Sequence, residues 1–390
     1  MQFSSSVFIF FVAVLALGVQ AQQTKSASAK PKPAKLNTPE VHSDNTVTFR
    51  FDAPNAHEVK LDRDGAGPVA MQKDDEGIWS VTTPPLAPDY YEYSTLVDGV
   101  RMLDPNNSLL VPNLITPANA VYIRGDGSQP WDMRDVPHGE IHHHFYASAV
   151  AGDNRDYYVY TPPNYDPETK KAYPILYLLH GFSDDASGWT AVGHANLILD
   201  NLIAQGKAKP MIVVMPLGYG TMEVIRRGWG ALDHEHLRDE NFLKFRQMLL
   251  SEVMPRVESE YHIAQDPRSR AIAGLSMGGA ESLFTGLNNL DKFGWIGSFS
   301  AGHLSEPLDK DFPGLDARSN QQLFLLWIAC GTEDELIRNN RNIREWLKAK
   351  GINHVPIETP GQHTWMVWRR NLVEFAPLLF RHAMGGSGSD

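Results

Sequence analysis

The sequence predicts an α/β protein in two folded parts, a small β-sandwich followed by a mostly parallel sheet with helices on both faces. Three observations carry this prediction. Short alternating apolar runs, punctuated by turn residues, occupy 41–124. From 141 onward, longer buried-strand runs alternate with helical stretches. Within that second part an apolar strand leads straight into Gly274-Leu275-Ser276-Met277-Gly278 and then into a helix-forming run at 280–287.

In chain order, the first segment is an apolar run at 7–19, too short to span a bilayer comfortably and followed by the small-residue pattern Val19-Gln20-Ala21. This predicts a signal peptide at 1–21 and a secreted or periplasmic protein, although the residues before the run include no Lys or Arg. Residues 22–37 are rich in Lys, Ala, Ser and Pro and read as a linker, because such a composition buries too little apolar surface to fold. The predicted sandwich, immunoglobulin-like, covers 38–125, with strands at 46–51, 58–61, 78–82, 90–97, 100–103 and 120–123. Asp98-Gly99 marks a two-residue hairpin, since a type I′ turn needs positive φ at both central positions, and Asp64-Gly65 marks a second turn. Trp79, Tyr91 and Tyr93 alternate as core residues would; a sugar-stacking platform is the competing reading.

A Pro/Gly/Asp-rich connector spans 126–140, and the larger domain 141–383. Its strands are expected at 141–147, 156–161, 175–179, 211–215, 271–273, 295–300, 323–329 and 355–359, with helices near 195–205, 241–261 and 339–350. The small, polar segment 384–390 is expected to be a disordered tail.

Charge and cysteine content narrow the function. The 390 residues carry 35 Lys plus Arg against 46 Asp plus Glu, a net charge of -11, which disfavours a nucleic-acid partner. Beyond the leader no membrane span is expected. A single cysteine, Cys330, allows no internal disulfide, and its apolar neighbours at 323–329 mark it as a small buried hydrophobe.

Ser276 sits in a Gly-x-Ser-x-Gly pattern between strand and helix, the setting in which a sharp turn projects a serine into a cleft. A serine nucleophile needs a base to take its proton and a carboxylate to orient that base. In an open parallel sheet those groups lie in loops after the carboxyl ends of strands. The loop after 323–329 offers Glu333, Asp334 and Glu335, and the loop after 355–359 offers His363. His354 lies at the other end of its strand and is set aside. Asp334 is the preferred acid, with Glu333 and Glu335 as a charge cluster at a helix N-terminus. The order Ser276, acid, His363 is that of α/β-hydrolases. The backbone N–H groups of Met277 and of Phe182, in His180-Gly181-Phe182, are the expected oxyanion hole.

Leu179-His180-Gly181, Gly274-Leu275-Ser276-Met277-Gly278-Gly279, Ser300-Ala301-Gly302, Gly331-Thr332-Glu333-Asp334 and Gly361-Gln362-His363-Thr364-Trp365 together resemble carbohydrate esterase family 1. That group includes feruloyl esterases and acetylxylan esterases and is related to esterase D-like, enterochelin esterase and mycolyltransferase proteins. Gly77-Ile78-Trp79-Ser80-Val81, Tyr91-Glu92-Tyr93-Ser94, Asp98-Gly99 and Asp104-Pro105 resemble the family 48 carbohydrate-binding module. The resemblance implies triad roles for Ser276, Asp334 and His363, no cofactor, and a serine carboxylesterase that releases hydroxycinnamates from feruloylated arabinoxylan through an acyl-enzyme. Acetylxylan esterase, siderophore esterase and an inactive carbohydrate-binding protein are the alternatives. Arg226 and Arg227 keep the siderophore reading open, because an anionic chelate requires cations.

Trp189, Tyr219, Trp229 and Trp365 lie in or beside loops at the catalytic strand ends, where they could stack on an aromatic acyl group or pack around the rim. Residues 218–236 read as a long irregular loop that shapes access. His142-His143-His144 invites a metal reading, but only His142 and His144 share a strand face and no third ligand has suitable spacing, so no metal is expected.

Overall fold

Successive side chains of a β-strand face opposite sides, and the N-terminal part uses this alternation to close a sandwich. The computed structural model describes residues 35–170 and 172–381, so the leader 1–21, most of the linker 22–37 and the tail 384–390 lie outside the described residues. The sandwich strands are β1 (Glu40–Val41), β2 (Val47–Asp52), β3 (Val59–Arg63), β4 (Ala66–Ala70), β5 (Gln72–Lys73), β6 (Ile78–Thr82), β7 (Asp89–Val97), β8 (Val100–Met102), β9 (Leu110–Val111) and β10 (Ala118–Ile123). They pair antiparallel in two sheets, β1-β2-β6-β5 and β4-β3-β7-β10-β9, with β8 added to β7. Phe49, Phe51, Leu61, Trp79, Tyr91, Tyr93, Val121 and Ile123 fill the space between them. Trp79, Tyr91 and Tyr93 are buried here, which leaves no aromatic platform from these three side chains.

Asp98 and Gly99 join β7 to β8 with φ of 48° and 82°, the two positive values a tight hairpin of this hand requires. The strands β1, β4, β5 and β9 were not legible in the sequence. Each is short or exposed on both faces, and β4 contains Gly67 and Pro68, so none carries an alternating apolar signal.

The larger domain is built on β11 (Glu140–Ser148), β12 (Asp153–Thr161), β13 (Ile175–Leu179), β14 (Ile212–Pro216), β15 (Arg270–Leu275), β16 (Trp295–Phe299), β17 (Leu325–Gly331) and β18 (Val355–Thr359). They form one eight-stranded sheet in the order β11-β12-β14-β13-β15-β16-β17-β18. The first three are antiparallel neighbours and the rest run parallel. The helices are α1 (Gly188–Ala191), α2 (Ala195–Ala204), α3 (Glu223–Arg227), α4 (Glu235–Met248), α5 (Met254–Glu260), α6 (Met277–Leu287), α7 (Ile337–Ala349) and α8 (Trp365–Phe375).

Alternate residues of the central strands feed two cores. Ile175, Tyr177, Ile272, Ile296 and Ile328 meet α4, α6 and α7 on one face. Leu176, Leu178, Ala271, Ala273 and Trp327 meet α2 and α8 on the other. This is the α/β-hydrolase fold. The expected helix over 241–261 begins earlier, at Glu235, and is interrupted by a π-helical turn, Leu249–Val253, just before Pro255, whose missing N–H removes an intrahelical bond. The expected irregular loop 218–236 contains α3 and a 3₁₀ turn, Ala231–Asp233. The unforeseen α8 buries Trp365, Trp368, Leu372 and Phe375, spaced three or four residues apart along one face.

Among the described residues, 36–381 belong to one unit, and the sandwich and sheet are joined by buried contacts. Arg369 of α8 donates to Asp89 Oδ1 at 2.8 Å and to the Tyr90 carbonyl at 3.0 Å. Val111, Ala118 and Ala120 of the sandwich share a core with Trp365 and Trp368. The connector is pinned by Asn201, whose amide donates to the carbonyls of Pro130 and Asp132 at 2.9 and 2.8 Å. No helix among the described residues is long and apolar enough to cross a membrane.

Candidate active site

The strand-to-helix turn at Ser276 is dictated by what its neighbours lack. A Cβ on Gly274 would lie 2.4 Å from the Gly278 carbonyl oxygen, and one on Gly278 would lie 2.3 Å from that of His180. Only glycine at both positions lets β15 turn this sharply against β13. Ser276 itself takes φ 51° and ψ -117°, a conformation that costs on the order of 1–3 kcal/mol for a residue with a side chain. Its N–H donates to the Phe299 carbonyl at 2.9 Å, and its own carbonyl accepts from Gly302 N–H at 2.8 Å, so backbone on both sides holds the turn.

The strand ends then bring three side chains into line. His363 Nε2 lies 2.9 Å from Ser276 Oγ, and His363 Nδ1 lies 2.9 and 3.1 Å from the two Asp334 carboxylate oxygens. With Asp334 accepting at Nδ1–H, Nε2 is left unprotonated to accept from the serine hydroxyl. Asp334 is buried, which opposes its charge. The hydrogen bond from His363 and the Leu336 N–H at 2.8 Å outweigh that burial and hold its pKa below the ordinary carboxylate value. Glu333 and Glu335 are exposed. Trp368 meets the His363 ring edge to face, with centroids 4.8 Å apart.

Asp334, Glu335 and His363 have potential metal-ligand atoms within 4.8 Å of one another. Both His363 nitrogens are engaged, by Asp334 and by Ser276, which leaves neither free to bind a metal ion in this arrangement. In the histidine run, His143 pairs with Asp156 and His144 with Tyr261 at 2.8 and 2.7 Å. Burial pushes the Cys330 thiol up to about 12, which keeps it protonated and unreactive.

Phe182, Ser276 and Met277 border one cavity of about 250 Å³. Met277 is the first residue of α6, so its N–H has no intrahelical acceptor. The turn bearing Phe182 is locked by buried groups. Gly218 N–H donates to His180 Nε2 at 2.8 Å, which places the ring proton on Nδ1, and Nδ1–H donates to the Gly181 carbonyl at 2.8 Å. Burial lowers the His180 pKa and keeps the ring neutral. The sandwich contributes to the same turn: Leu114 N–H donates to the Ser183 carbonyl at 2.7 Å, and Asn113 donates to Ser183 Oγ at 2.9 Å.

The aromatic residues expected around the cleft separate on burial. Trp189 is 1% exposed, donates to the Leu179 carbonyl and packs on Trp365 and Phe299, so it belongs to the core. Tyr219 is also fully buried, and its hydroxyl donates to the Asp184 carbonyl at 2.8 Å. Both expectations of substrate contact are therefore corrected: loop position placed these rings correctly along the chain, but tertiary packing turned them inward. Trp365 is buried but borders a cavity beside Ser276. Trp229 is 63% exposed and lies edge-on to Phe182, with centroids 5.4 Å apart.

Two kinds of space meet at Ser276 and His363. The 250 Å³ cavity is walled largely by Phe182, Trp229, Leu232, Phe242, Met277 and Leu336. A second cavity, of about 220 Å³, has a polar wall that includes Asp64, Glu92, Asn113 and Thr116 from the N-terminal part and Asp184 from the hydrolase part. Burial, aided by the charges of its acidic neighbours, raises the Glu92 carboxyl well above its ordinary value. Burial likewise raises Asp64 to about 6 and Asp184 to about 8. Sequence reasoning missed these residues, since nothing local marks a contact between positions so far apart in the chain.

A sheet of this topology with serine, histidine and aspartate in hydrogen-bonded succession at its strand ends is the arrangement of an α/β-hydrolase. The chain belongs to the Esterase family, whose model matches residues 148–379. It is 31% identical over 352 residues to an endo-1,4-beta-xylanase/feruloyl esterase of Xylanibacter ruminicola, a match that covers 88% of this chain and 46% of that protein. The chain thus spans about half the length of that relative. Among solved structures, a CE1 ferulic acid esterase from the anaerobic fungus Anaeromyces mucronatus superposes with a TM-score of 0.56 at 24% identity, covering 64% of this chain and 93% of that one. The enterobactin esterase of Shigella flexneri superposes with a TM-score of 0.64 at 18% identity, covering 85% and 92%.

Proposed function

We propose that this chain is an exported serine carboxylesterase that releases ferulate or a related hydroxycinnamate from arabinoxylan. The observation that carries the chemistry is the 2.9 Å approach of His363 Nε2 to Ser276 Oγ, with Asp334 behind the imidazole. Ser276 attacks the ester carbonyl as His363 takes its proton, and the N–H groups of Phe182 and Met277 hold the developing oxyanion. His363 then protonates the departing sugar alcohol. Water, activated by the same histidine, hydrolyses the acyl-enzyme.

The apolar cavity with Trp229 and Phe182 on its wall supports an aromatic acyl group, as does the similarity to a xylanase/feruloyl esterase. The siderophore reading's expected cations, Arg226 and Arg227, border neither of the two cavities at Ser276. Both lie at the exposed C-terminal end of α3 and pair with Glu223, at 3.4 and 2.9 Å. The N-terminal sandwich, with its resemblance to a family 48 module, serves in this reading to hold polysaccharide beside the cleft.

Hydrolysis of methyl ferulate, a simple acetyl ester and feruloylated arabinoxylan by the intact protein and by Ser276→Ala tests the proposal. Ferulate release that disappears in the variant is the expected result. Acetyl release alone would replace the reading with a deacetylase, and turnover that survives the substitution would end the serine mechanism.

A further inference from the structure

An ester has two sides, and the catalytic pair opens onto two cavities of different character. The apolar one suits an aromatic acyl group; the polar one then receives the alcohol. Its wall is supplied in part by β7, whose odd residues Tyr91 and Tyr93 point into the sandwich core. The alternation of a strand therefore turns Tyr90, Glu92 and Ser94 toward the hydrolase part, where the Tyr90 ring lies 4.6 Å from that of His194.

Two atoms on this face are unmatched. Glu92 Oε1 and Ser94 Oγ are buried and have no hydrogen-bond partner among the described residues. Ser94 is 1% exposed, and both residues border a cavity of about 390 Å³ that also reaches Thr364, next to the catalytic histidine. Glu92 borders, in addition, the smaller cavity that holds Ser276 and His363. Its backbone is clamped: Glu92 N–H donates to Asp64 Oδ2 at 3.0 Å and its carbonyl accepts from Asp64 N–H at 2.9 Å. Both atoms face a cavity roomy enough for solvent, so a sugar hydroxyl that bonds them takes the place of water there and needs no other protein partner displaced.

We propose that Glu92, with Ser94 beside it, is the specificity-determining group on the alcohol side of the cleft, binding the free hydroxyls of the sugar that carries the scissile ester. Resting on the esterase reading above, this names the leaving group as an uncharged, hydroxyl-rich one. Burial, and then the charges of Asp64 and Asp184, raise the Glu92 carboxyl well above its ordinary value and so favour the protonated form, which both donates and accepts, as a sugar hydroxyl does. Glu92 also belongs to the sandwich, which makes recognition of the sugar a property of both parts of the chain.

The test is the ratio of kcat/KM for a feruloylated arabino-oligosaccharide to that for methyl ferulate, in the full chain and in Glu92→Ala and Glu92→Gln. The methyl ester shares the acyl group and lacks the sugar, so a general loss of folded protein cancels in the ratio. A fall of at least about tenfold in the alanine variant, chiefly through KM of the sugar ester, with a smaller fall in the glutamine variant, is expected for loss of hydrogen bonds worth about 1.4 kcal/mol or more. A ratio within twofold of wild type in both variants overturns the assignment. So does a wild-type enzyme that cleaves methyl ferulate without preferring the sugar ester, although that result leaves the esterase reading standing. Absence of serine-dependent turnover on every ester overturns both.

Discussion

Arg369 and Asp89, 280 positions apart in the sequence, meet as a fully buried ion pair with Nη2 2.8 Å from Oδ1, and Arg370 reaches the other oxygen of the same carboxylate at 2.7 Å. Arg369 also donates to the Val192 carbonyl at 3.0 Å, so one guanidinium ties α8, the sandwich and the segment before α2 together. Because α8 begins two residues after His363, the pair sets the helix on which the loop of the proposed catalytic histidine is anchored. Asp89→Ala leaves that guanidinium buried without its counter-charge and should cost about 3–5 kcal/mol in urea unfolding. A loss below about 1 kcal/mol would show that water replaces the carboxylate.

Asp334→Asn keeps an acceptor for Leu336 N–H but removes the charge that orients and stabilises the His363 imidazolium. A fall in kcat of about 10³- to 10⁴-fold with little change in KM is expected. A loss smaller than tenfold would move the role to another carboxylate, Glu333 or Glu335.

Gly278→Ala forces a Cβ to within 2.3 Å of the His180 carbonyl oxygen, a backbone atom that cannot step aside. Destabilisation of at least about 2 kcal/mol together with loss of activity is expected. The exposed strand position Gly67, where an added Cβ meets nothing within 4 Å, supplies the comparison, and Gly67→Ala should change stability by no more than about 0.5 kcal/mol.

Asp184 links the cleft to pH. Burial raises its folded-state pKa to about 8 from an ordinary value of 3.8, so between those values the native state holds a proton that the unfolded chain has released. Stability contributed by that proton is complete below about 4 and is lost as pH rises through about 8. Asp64, raised chiefly by burial to about 6, acts with the same sign over the lower half of the window. Asp184→Asn should flatten the decline of melting temperature over this range; an unchanged slope would assign it to other groups.

Trp229 is exposed, so its removal should leave the melting temperature nearly unchanged while weakening contact with an aromatic acyl group. In Trp229→Ala, kcat/KM for methyl ferulate relative to a simple acetyl ester should fall by about 2- to 10-fold, the value of an aromatic contact of 0.5–1.5 kcal/mol. Equal effects on the two esters would argue against an acyl-side role.

The parts of the fold read from sequence are those whose signal is local. Val355–Thr359 and Ile175–Leu179 are apolar or alternating runs with clear ends, and the rule that polar loops at strand ends hold the chemistry selected His363 over His354. The preference for Asp334 over its two acidic neighbours rested on less, because the turn at Asp334, whose N–H donates to the Gly331 carbonyl, decides which side chain points inward. Trp189 and Tyr219 show the opposite limit: chain position put them near the cleft, and burial against Leu179 and Asp184 removed them from it. Asp64 was legible as a turn residue and Glu92 as part of a module-like strand, but neither carried a signal of the cleft, since their place beside Ser276 exists only once β7 packs against the hydrolase part.

The hold of Leu114 and Asn113 on Ser183 bears on how such a protein can be rebuilt or recombined. An accessory domain joined to an enzyme by a linker is a cassette, exchangeable without regard to the partner's interior. Here the residue after Phe182 takes hydrogen bonds from the N-terminal part of the chain, so a chimaera that substitutes a foreign N-terminal domain would inherit the loop proposed to hold the oxyanion with its brace missing.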